Sequence, residues 1–525
     1  MWQLRRLYTF ALALLLSVGA FSASSEAFER RDGEKILVSA QRQAVPTMDP
    51  SVKYNASIRT MQQAMYDALL KYEGTPPRIT PWLGEKFDVS DDGLTYTFHL
   101  VKNAKFHNGD PVTAEAVRWS FERTLTIGKG PSWMLKDFLQ ASNITVVDDH
   151  TVKFKLDRPF AAFTSFLPWW YIMNPAQVMA NEVDGDIGQK WLTENEAGSG
   201  PYKLLRVEQG TLYELDRVED YWKGQKGELG GIIYKLMRES SAQRAALLRG
   251  EADLVTGLSP DEFDQVAKAK GVVTSTQPAL TAFGIKFNTQ ADITSDVNIR
   301  RAVSYAFDYD ALIKIYNGRA VLQTSPFTDA IKGKVNISNM PRMDLAKAKE
   351  YLAKSEYPNG GFELEYVYVQ GLEEERLMGL ILIDSLQKLN IKVNMVPLTW
   401  ANMVARGSKV ETSPQMMAIF ATPVSTDPDA VAMQYHPSAH GAYYGVHYVD
   451  DAELTAMIEK ARFTPKWEDR APIYEQIQQR IVDLQPEIFG MMRERRIAYR
   501  DWVKGYEYSP VRMTEEVDFY GLHIE

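Results

Sequence analysis

The 525 residues include no cysteine. Disulfide frameworks, thiolate metal sites and cysteine nucleophiles are therefore excluded, and so is a lipid-modified cysteine after an export signal. A basic excess is missing as well: 59 Lys and Arg stand against 68 Asp and Glu, a net charge of −9. An acidic chain has no field with which to neutralise phosphates, so no nucleic-acid partner is expected. Phosphate-cradling loops are absent, because Gly128-Lys129-Gly130 lacks both the upstream glycine spacing and a Ser or Thr after the lysine. No Gly-x-Ser-x-Gly stretch occurs, which removes the α/β-hydrolase nucleophile elbow. Carboxylates are plentiful, yet spacing sets no pair into acid and base roles, and a solvated surface is their default reading. Internal repeats, low-complexity tracts and Pro/Gly/Ser linkers are also absent. A chain this long without a linker points to lobes joined by strands.

What is present is the balance of a globular protein, 45% apolar and 24% charged. Arg5 and Arg6 precede an uncharged Leu/Ala-rich run at 7–20, and small residues follow, ending in Ser25-Glu26-Ala27. This pattern reads as a cleavable export signal over residues 1–27. The run is shorter than the roughly 20 residues that span a bilayer, and no later segment approaches that length. The product is expected to be exported, periplasmic and without a lipid anchor.

Beyond the signal, strands and helices alternate, the mark of an α/β architecture. Leu94, Tyr96, Phe98 and Leu100 fall on one face of a strand, as do Val152, Phe154 and Leu156 after the turn Asp148-Asp149-His150. Thr113 is a helix N-cap ahead of Val117 and Phe121, one turn apart. A hairpin is expected over 202–215 with its turn at Gln209-Gly210. A helix over 241–249 stops at Gly250, and a strand follows at 252–255. Helices at 297–307 and 372–389 alternate with strands at 362–369 and 391–396, and the helical stretch 451–484 is interrupted near Pro465.

Several segments, taken in order, are similar to one family. They are Met48-Asp49-Pro50, Lys105-Phe106-His107-Asn108-Gly109-Asp110-Pro111-Val112-Thr113-Ala114-Glu115-Ala116-Val117, Gly198-Ser199-Gly200-Pro201-Tyr202 and Asp220-Tyr221-Trp222-Lys223-Gly224. Phe287-Asn288-Thr289, Arg300-Arg301-Ala302-Val303-Ser304-Tyr305-Ala306-Phe307-Asp308 and Thr426-Asp427-Pro428-Asp429 complete the set. Together they resemble bacterial extracellular solute-binding proteins of family 5, the dipeptide/oligopeptide-binding type. The resemblance implies an α/β fold of the periplasmic binding protein-like class II, in which two lobes joined by a two-stranded hinge close over a ligand. The first lobe would comprise 28–75, 198–287 and 495–525 with a subdomain inserted at 76–197, and the second lobe 288–494. The chain would cross between them near 285–288 and 489–493. It implies a non-enzymatic, monomeric receptor without cofactor, delivering a peptide or peptide-like solute to the permease subunits of an ABC importer.

Relatives that bind peptides hold the ligand's ammonium with an aspartate in the loop before the Asp-Pro motif, since a desolvated ammonium needs a charged acceptor. Aligned on Asp427-Pro428, that position falls at or next to Val424, where no carboxylate stands. Either the register differs by a few residues and Asp427 does the work, or the usual grip is missing. An aromatic, neutral-polar cleft would then suit an oligosaccharide, an opine or a sugar conjugate. Candidate platforms are Trp169-Trp170-Tyr171, Trp133, Trp400 and Tyr443-Tyr444, with Thr422, Ser425 and Thr426 as hydroxyl partners; core packing is the alternative for each ring. Trp400 stands out because it follows the strand 391–396, where the family places a cleft residue. His436 and His440, with His447 downstream, would share a helix face and bind metal, but Pro437 and Gly441 favour a loop. His107 reads as structural. Arg493-Glu494-Arg495-Arg496 lies by the second crossing and fits either an anionic ligand group or a surface salt bridge.

Overall fold

A computed structural model describes residues 35–53, 55–512 and 515–525. The export signal expected at 1–27 lies outside the described residues.

Two long antiparallel strands organise the molecule, Val272–Phe287 and Glu487–Arg500. They are neighbours at the middle of an eleven-stranded sheet. On one side Glu487–Arg500 pairs with Leu254–Val255, and the sheet continues through Ile36–Gln41, Gly231–Leu236, Leu212–Arg217 and Tyr202–Glu208. On the other side Val272–Phe287 pairs with Met416–Ala421, followed by Glu363–Val369 and Lys392–Leu398. Parallel ladders flank the antiparallel centre on both sides, so the sheet is mixed.

The central ladder is interrupted. Its register passes from Pro278 opposite Glu494 to Ala282 opposite Met492, so one strand gains two residues on the other. Such an irregularity bends and twists a ladder locally. Before the break, Val272–Phe287 pairs with Glu487–Arg500 alone among the described residues; from Ala282 onward it also pairs with Met416–Ala421. A second irregularity follows between Phe283 and Ile285, opposite Met491 and Ile488, so the ladder is uneven up to the 285–288 expected for the first crossing and within the 489–493 expected for the second. Separate cores lie on the two sides. One gathers Leu37, Met48, Tyr66, Tyr213, Ile497 and Phe519, the other Phe283, Ile299, Leu364, Leu382 and Met416.

Local elements follow their sequence signals. A four-stranded sheet, Gly84–Val89, Thr95–Leu100, Thr151–Lys155 and Ile144–Asp148 in spatial order, carries the helix Ala114–Ile127. Tyr96, Phe98, Val152 and Phe154 face its core. The Thr113 hydroxyl accepts from the Ala116 amide, and Gly128 closes the helix with a φ of 67°. The hairpin turns at Gly210, and the helix Ser240–Arg249 ends at Gly250 in the left-handed conformation. The stretch 451–484 divides into Ala452–Phe463 and Trp467–Leu484, with Pro465 in the gap.

The motif residues hold these pieces together. Asp49 makes two bonds, 2.8 and 2.7 Å, to the fully buried guanidinium of Arg123 in the helix Ala114–Ile127. Asp67 accepts from Trp82 Nε1, Ser199 Oγ, Tyr221 Oη and Trp222 Nε1 at 2.6 to 2.9 Å. Burial raises this carboxyl, and those four donors work against the rise. A Cβ on Gly198 would lie 1.9 Å from the Met65 carbonyl oxygen, which is why no side chain fits there. His107 turns one ring nitrogen to Glu196 (2.7 Å) and the other to the Gly200 carbonyl (2.9 Å). Arg300 donates to the Leu484 and Gln485 carbonyls and so caps the end of the helix Trp467–Leu484.

Candidate functional site

The strand Met416–Ala421 delivers a loop that two parts of the molecule grip at once. Thr422 Oγ1 meets Thr281 Oγ1 at 2.9 Å, beside the break in the central ladder. Val424 is 6% exposed and packs into the core built around the four-stranded sheet. Its carbonyl accepts from Trp169 Nε1 at 2.6 Å. Ser425, fully buried, receives the Tyr72 hydroxyl at 3.3 Å, and the same hydroxyl donates to the Ser165 carbonyl at 2.8 Å. The Thr426 carbonyl accepts from the Lys332 amide. Residues from before 175 and after 420 thus close on each other directly.

Asp427 is engaged elsewhere. Its two oxygens take the Arg470 guanidinium at 3.0 and 2.8 Å, both side chains being largely buried. This bidentate geometry is the strong form of a charge-assisted bond, and it points the carboxylate into the helix Trp467–Leu484. Asp429 is buried beside Arg462 (3.4 Å), and burial raises its carboxyl to about 6 against the pull of that arginine.

An aromatic wall stands beside the loop. Thr399 caps the helix Trp400–Arg406, leaving Trp400 at its first position, 51% exposed. The indole lies 4.6 Å from the Tyr443 ring at 48°. Tyr443 Oη accepts from the Phe420 amide, and Phe420 stacks on Phe283 at 4.1 Å. The wall ends at the Arg493 guanidinium, 5.5 Å from the Phe420 ring. The Trp169-Trp170-Tyr171 triplet divides differently. Trp169 carries the Arg59 guanidinium 3.6 Å above its ring. Trp170 is buried and stacks on Phe121 at 4.7 Å inside the core of the four-stranded sheet. Tyr171 lines a small cavity of about 30 Å³ with Arg59, Tyr72, Pro168 and Arg512. Trp133 edges Phe166 and is exposed.

Charged residues past the ladder break complete the region. Arg493 lies 3.8 Å from Glu374. Arg495 is 1% exposed, and none of its three guanidinium nitrogens has a hydrogen-bond partner. Burial lowers Arg496 to about 10, with Arg493 and Arg319 adding to the effect. Glu515 is raised by burial despite Arg42, at 3.7 Å, and Arg493. Glu375 is raised by burial to about 8; one oxygen accepts from the Val369 amide at 2.7 Å and the other has no partner.

Arg42, Arg59, Tyr72 and Glu375 carried no sequence signal. Glu375 reads as one more member of a solvated acidic run at a helix start, and the rest acquire their surroundings through distant contacts. The histidines do not assemble: His440 bonds the Val449 carbonyl, His447 is buried against Tyr435, and His436 lies 3.6 Å from Glu459. Among the described residues no three His, Asp or Glu side chains are grouped to hold a metal, and no helix is long and apolar enough to cross a membrane.

Two halves on a shared central ladder, with a loop clasped between them, describe a solute receptor of the class II periplasmic binding type. The chain belongs to the bacterial extracellular solute-binding proteins, family 5, whose model matches residues 78–443. Family membership makes it a non-enzymatic substrate-binding component of an ABC transporter. It is similar to the probable D,D-dipeptide-binding periplasmic protein DdpA of Escherichia coli K12, 28% identical over 481 residues and 90% of each chain. Among solved structures it resembles DppA from Helicobacter pylori in complex with the peptide STSA, with 25% identity, a TM-score of 0.79 and coverage of 94% and 99%. It also resembles the binding protein AgaA of A. tumefaciens R10 in complex with agropinic acid, with 25% identity, a TM-score of 0.78 and coverage of 93% and 99%.

Proposed function

We propose that this protein captures a peptide or peptide-like solute in the periplasm and hands it to an inner-membrane permease. The observation that carries the reading is the clasp of Trp169 and Tyr72 on Val424 and Ser425. Contacts made only in a shut state are what a solute must add to in order to shift the open–closed equilibrium. Micromolar capture corresponds to about 8 kcal/mol, part of which is consumed in closing and ordering the halves. The proposed lobes are 28–75, 198–287 and 495–525 with the insert 76–197, and 288–494, swinging about crossings near 285–288 and 489–493, where the ladder is irregular between Phe283 and Ile285. Export by cleavage after residue 27 and a monomeric state belong to the same reading.

The proposed ligand-facing residues are Trp400 and Tyr443 as stacking surfaces, with Thr422 and Thr426 at the edge of the loop. Val424, Ser425 and Trp169 act as closure contacts. Trp170 and Asp427 serve packing and the Arg470 pair. An apolar Val424 and an occupied Asp427 leave the loop without a carboxylate for a peptide's ammonium. That favours, as a second reading, an opine or a sugar conjugate resting on the aromatic wall, and the similarity to the agropinic acid complex supports it.

Native mass spectrometry of protein freshly isolated from the periplasm tests the choice. A co-purifying mass that fragments as a peptide supports the first reading, and an opine or sugar conjugate supports the second. A candidate solute returned chemically altered would overturn both.

A further inference from the structure

The segment 76–197 touches both sides of the molecule, and the two sets of contacts differ in kind. Toward 28–75 and 198–287 they are polar and sealed. Arg123 meets Asp49 through two bonds, with both side chains fully buried, and Thr124 Oγ1 lies 2.7 Å from Ser51 Oγ. His107 reaches the Gly200 carbonyl at 2.9 Å, and Trp82 Nε1 donates to Asp67 at 2.6 Å. Separating an ion pair such as Asp49 and Arg123 would leave buried charges without partners, which is strongly unfavourable.

Toward 288–494, rings and cations meet. Phe138 and Phe160, both 1% exposed, stack at 3.9 Å. Arg462, from the helix Ala452–Phe463, sets its guanidinium 4.5 Å from the centre of the Phe138 ring and 5.2 Å from that of Phe160. Arg158 answers from the other side, 4.6 Å from the Phe463 ring and 5.0 Å from that of Phe138. Each side thus lays an arginine on the other's phenylalanine. Such contacts are weak beside a buried ion pair, and neither cation is stranded when they part. Arg462 keeps Asp429, 3.4 Å away on its own side, and Arg158 is exposed to water.

We propose that these five residues form a releasable latch. The insert rides with the core of the first lobe, while Phe138, Phe160 and Arg158 engage Arg462 and Phe463 in the shut form and leave them on opening. The proposal rests on the two-lobe capture reading and gives the insert a part in it. None of the five belongs to the proposed ligand-facing set, so the latch acts on the solute only through the fraction of protein that is shut. Apparent affinity scales with the competent fraction, and the insert thereby tunes capture without selecting among solutes.

A cross-link tests it. A Cβ on Gly93 would lie 3.4 Å from Pro465 Cβ, near the roughly 3.8 Å that a disulfide spans, and the chain has no thiol of its own. Gly93→Cys combined with Pro465→Cys is expected to join the insert to 288–494 on oxidation. Oxidised and reduced forms of this double variant are compared by small-angle scattering after exhaustive dialysis. The oxidised form should be the more compact, and reduction should raise its radius of gyration. Superimposable curves would overturn the latch, because the contact would then persist without the cross-link. A solute mass co-purifying with the reduced form in native mass spectrometry would in that case leave capture intact. Gly93 has a φ of 68°, which strains any other residue, so Arg158 supplies a second route on the otherwise native chain. Arg158→Gln should enlarge the empty protein while its melting temperature stays nearly unchanged, since the side chain is exposed. Arg158→Lys, which keeps a cation, should fall between the two. An Arg158→Gln curve identical to that of wild type would overturn the proposal.

Discussion

The indole nitrogen of Trp169 donates to the carbonyl of Val424 at 2.6 Å across 255 residues of sequence. The bond joins the part of the chain around the four-stranded sheet to the loop that follows the strand Met416–Ala421. Val424 and the Trp169 ring are both buried in the same apolar cluster, with the Arg59 guanidinium over the ring. Trp169→Phe keeps a ring beneath Arg59 and removes the donor together with part of the buried indole. A neutral hydrogen bond contributes about 1 kcal/mol net, or about fivefold in affinity. Titration calorimetry with the solute recovered from the periplasm should show that weakening, and small-angle scattering should show a more open empty form. A lower melting temperature with an unchanged scattering curve would make the contact purely structural.

Asp427→Ala tests the opposite assignment. With Asp427 removed, Arg470 keeps the Ala461 carbonyl and the Tyr474 hydroxyl but loses its counter-charge. Breaking a buried pair by deleting one partner costs about 3–5 kcal/mol. Urea denaturation of the empty protein should register the loss. Unchanged stability together with abolished binding would return Asp427 to the ligand.

Trp400→Ala is expected to weaken solute binding at least tenfold while leaving the empty protein's melting nearly unchanged. The indole is half exposed and its contact is the tilted face of Tyr443, so little folding energy rests on it. Equal destabilisation of the empty form would identify the residue as core.

How far such assignments were readable from the residues depended on distance along the chain. Thr113, Gly128, Gly250 and Pro465 act within a turn or two of themselves, and each stands where its chemistry predicts. The alternation of Tyr96 with Phe98, and of Val152 with Phe154, likewise fixes which face is buried. Asp67 is different: its donors are at 82, 199, 221 and 222, and no local pattern brings them together. Adjacent tryptophans pose the same problem, because the sequence does not say which of Trp169 and Trp170 turns toward Phe121 and which toward Val424. The ladder slips twice, between Pro278 and Ala282 and again between Phe283 and Ile285, the second beside the 285–288 expected for the first crossing. A slip is a relation between two strands, and one strand's residues do not encode it.

Glu375 gives a pH dependence of defined sign. Burial, with a smaller contribution from Glu374, holds its carboxyl up to about 8 in the folded chain. Folding therefore takes up a proton between the ordinary carboxylate range and about pH 8. The stability this provides is complete below the unfolded value and is lost as pH rises through about 8. Over that window the slope is at most about 1.4 kcal/mol per pH unit. Glu375→Gln keeps an acceptor for the Val369 amide and cannot ionise, so denaturation curves across this range should be flatter for the variant. Parallel curves would show that Glu375 is charged in the fold.

In the proposed two-lobe arrangement both passages are adjacent, hydrogen-bonded strands, so the halves would rotate about a single line and would not slide past one another. The gape at any point then grows with its distance from that line.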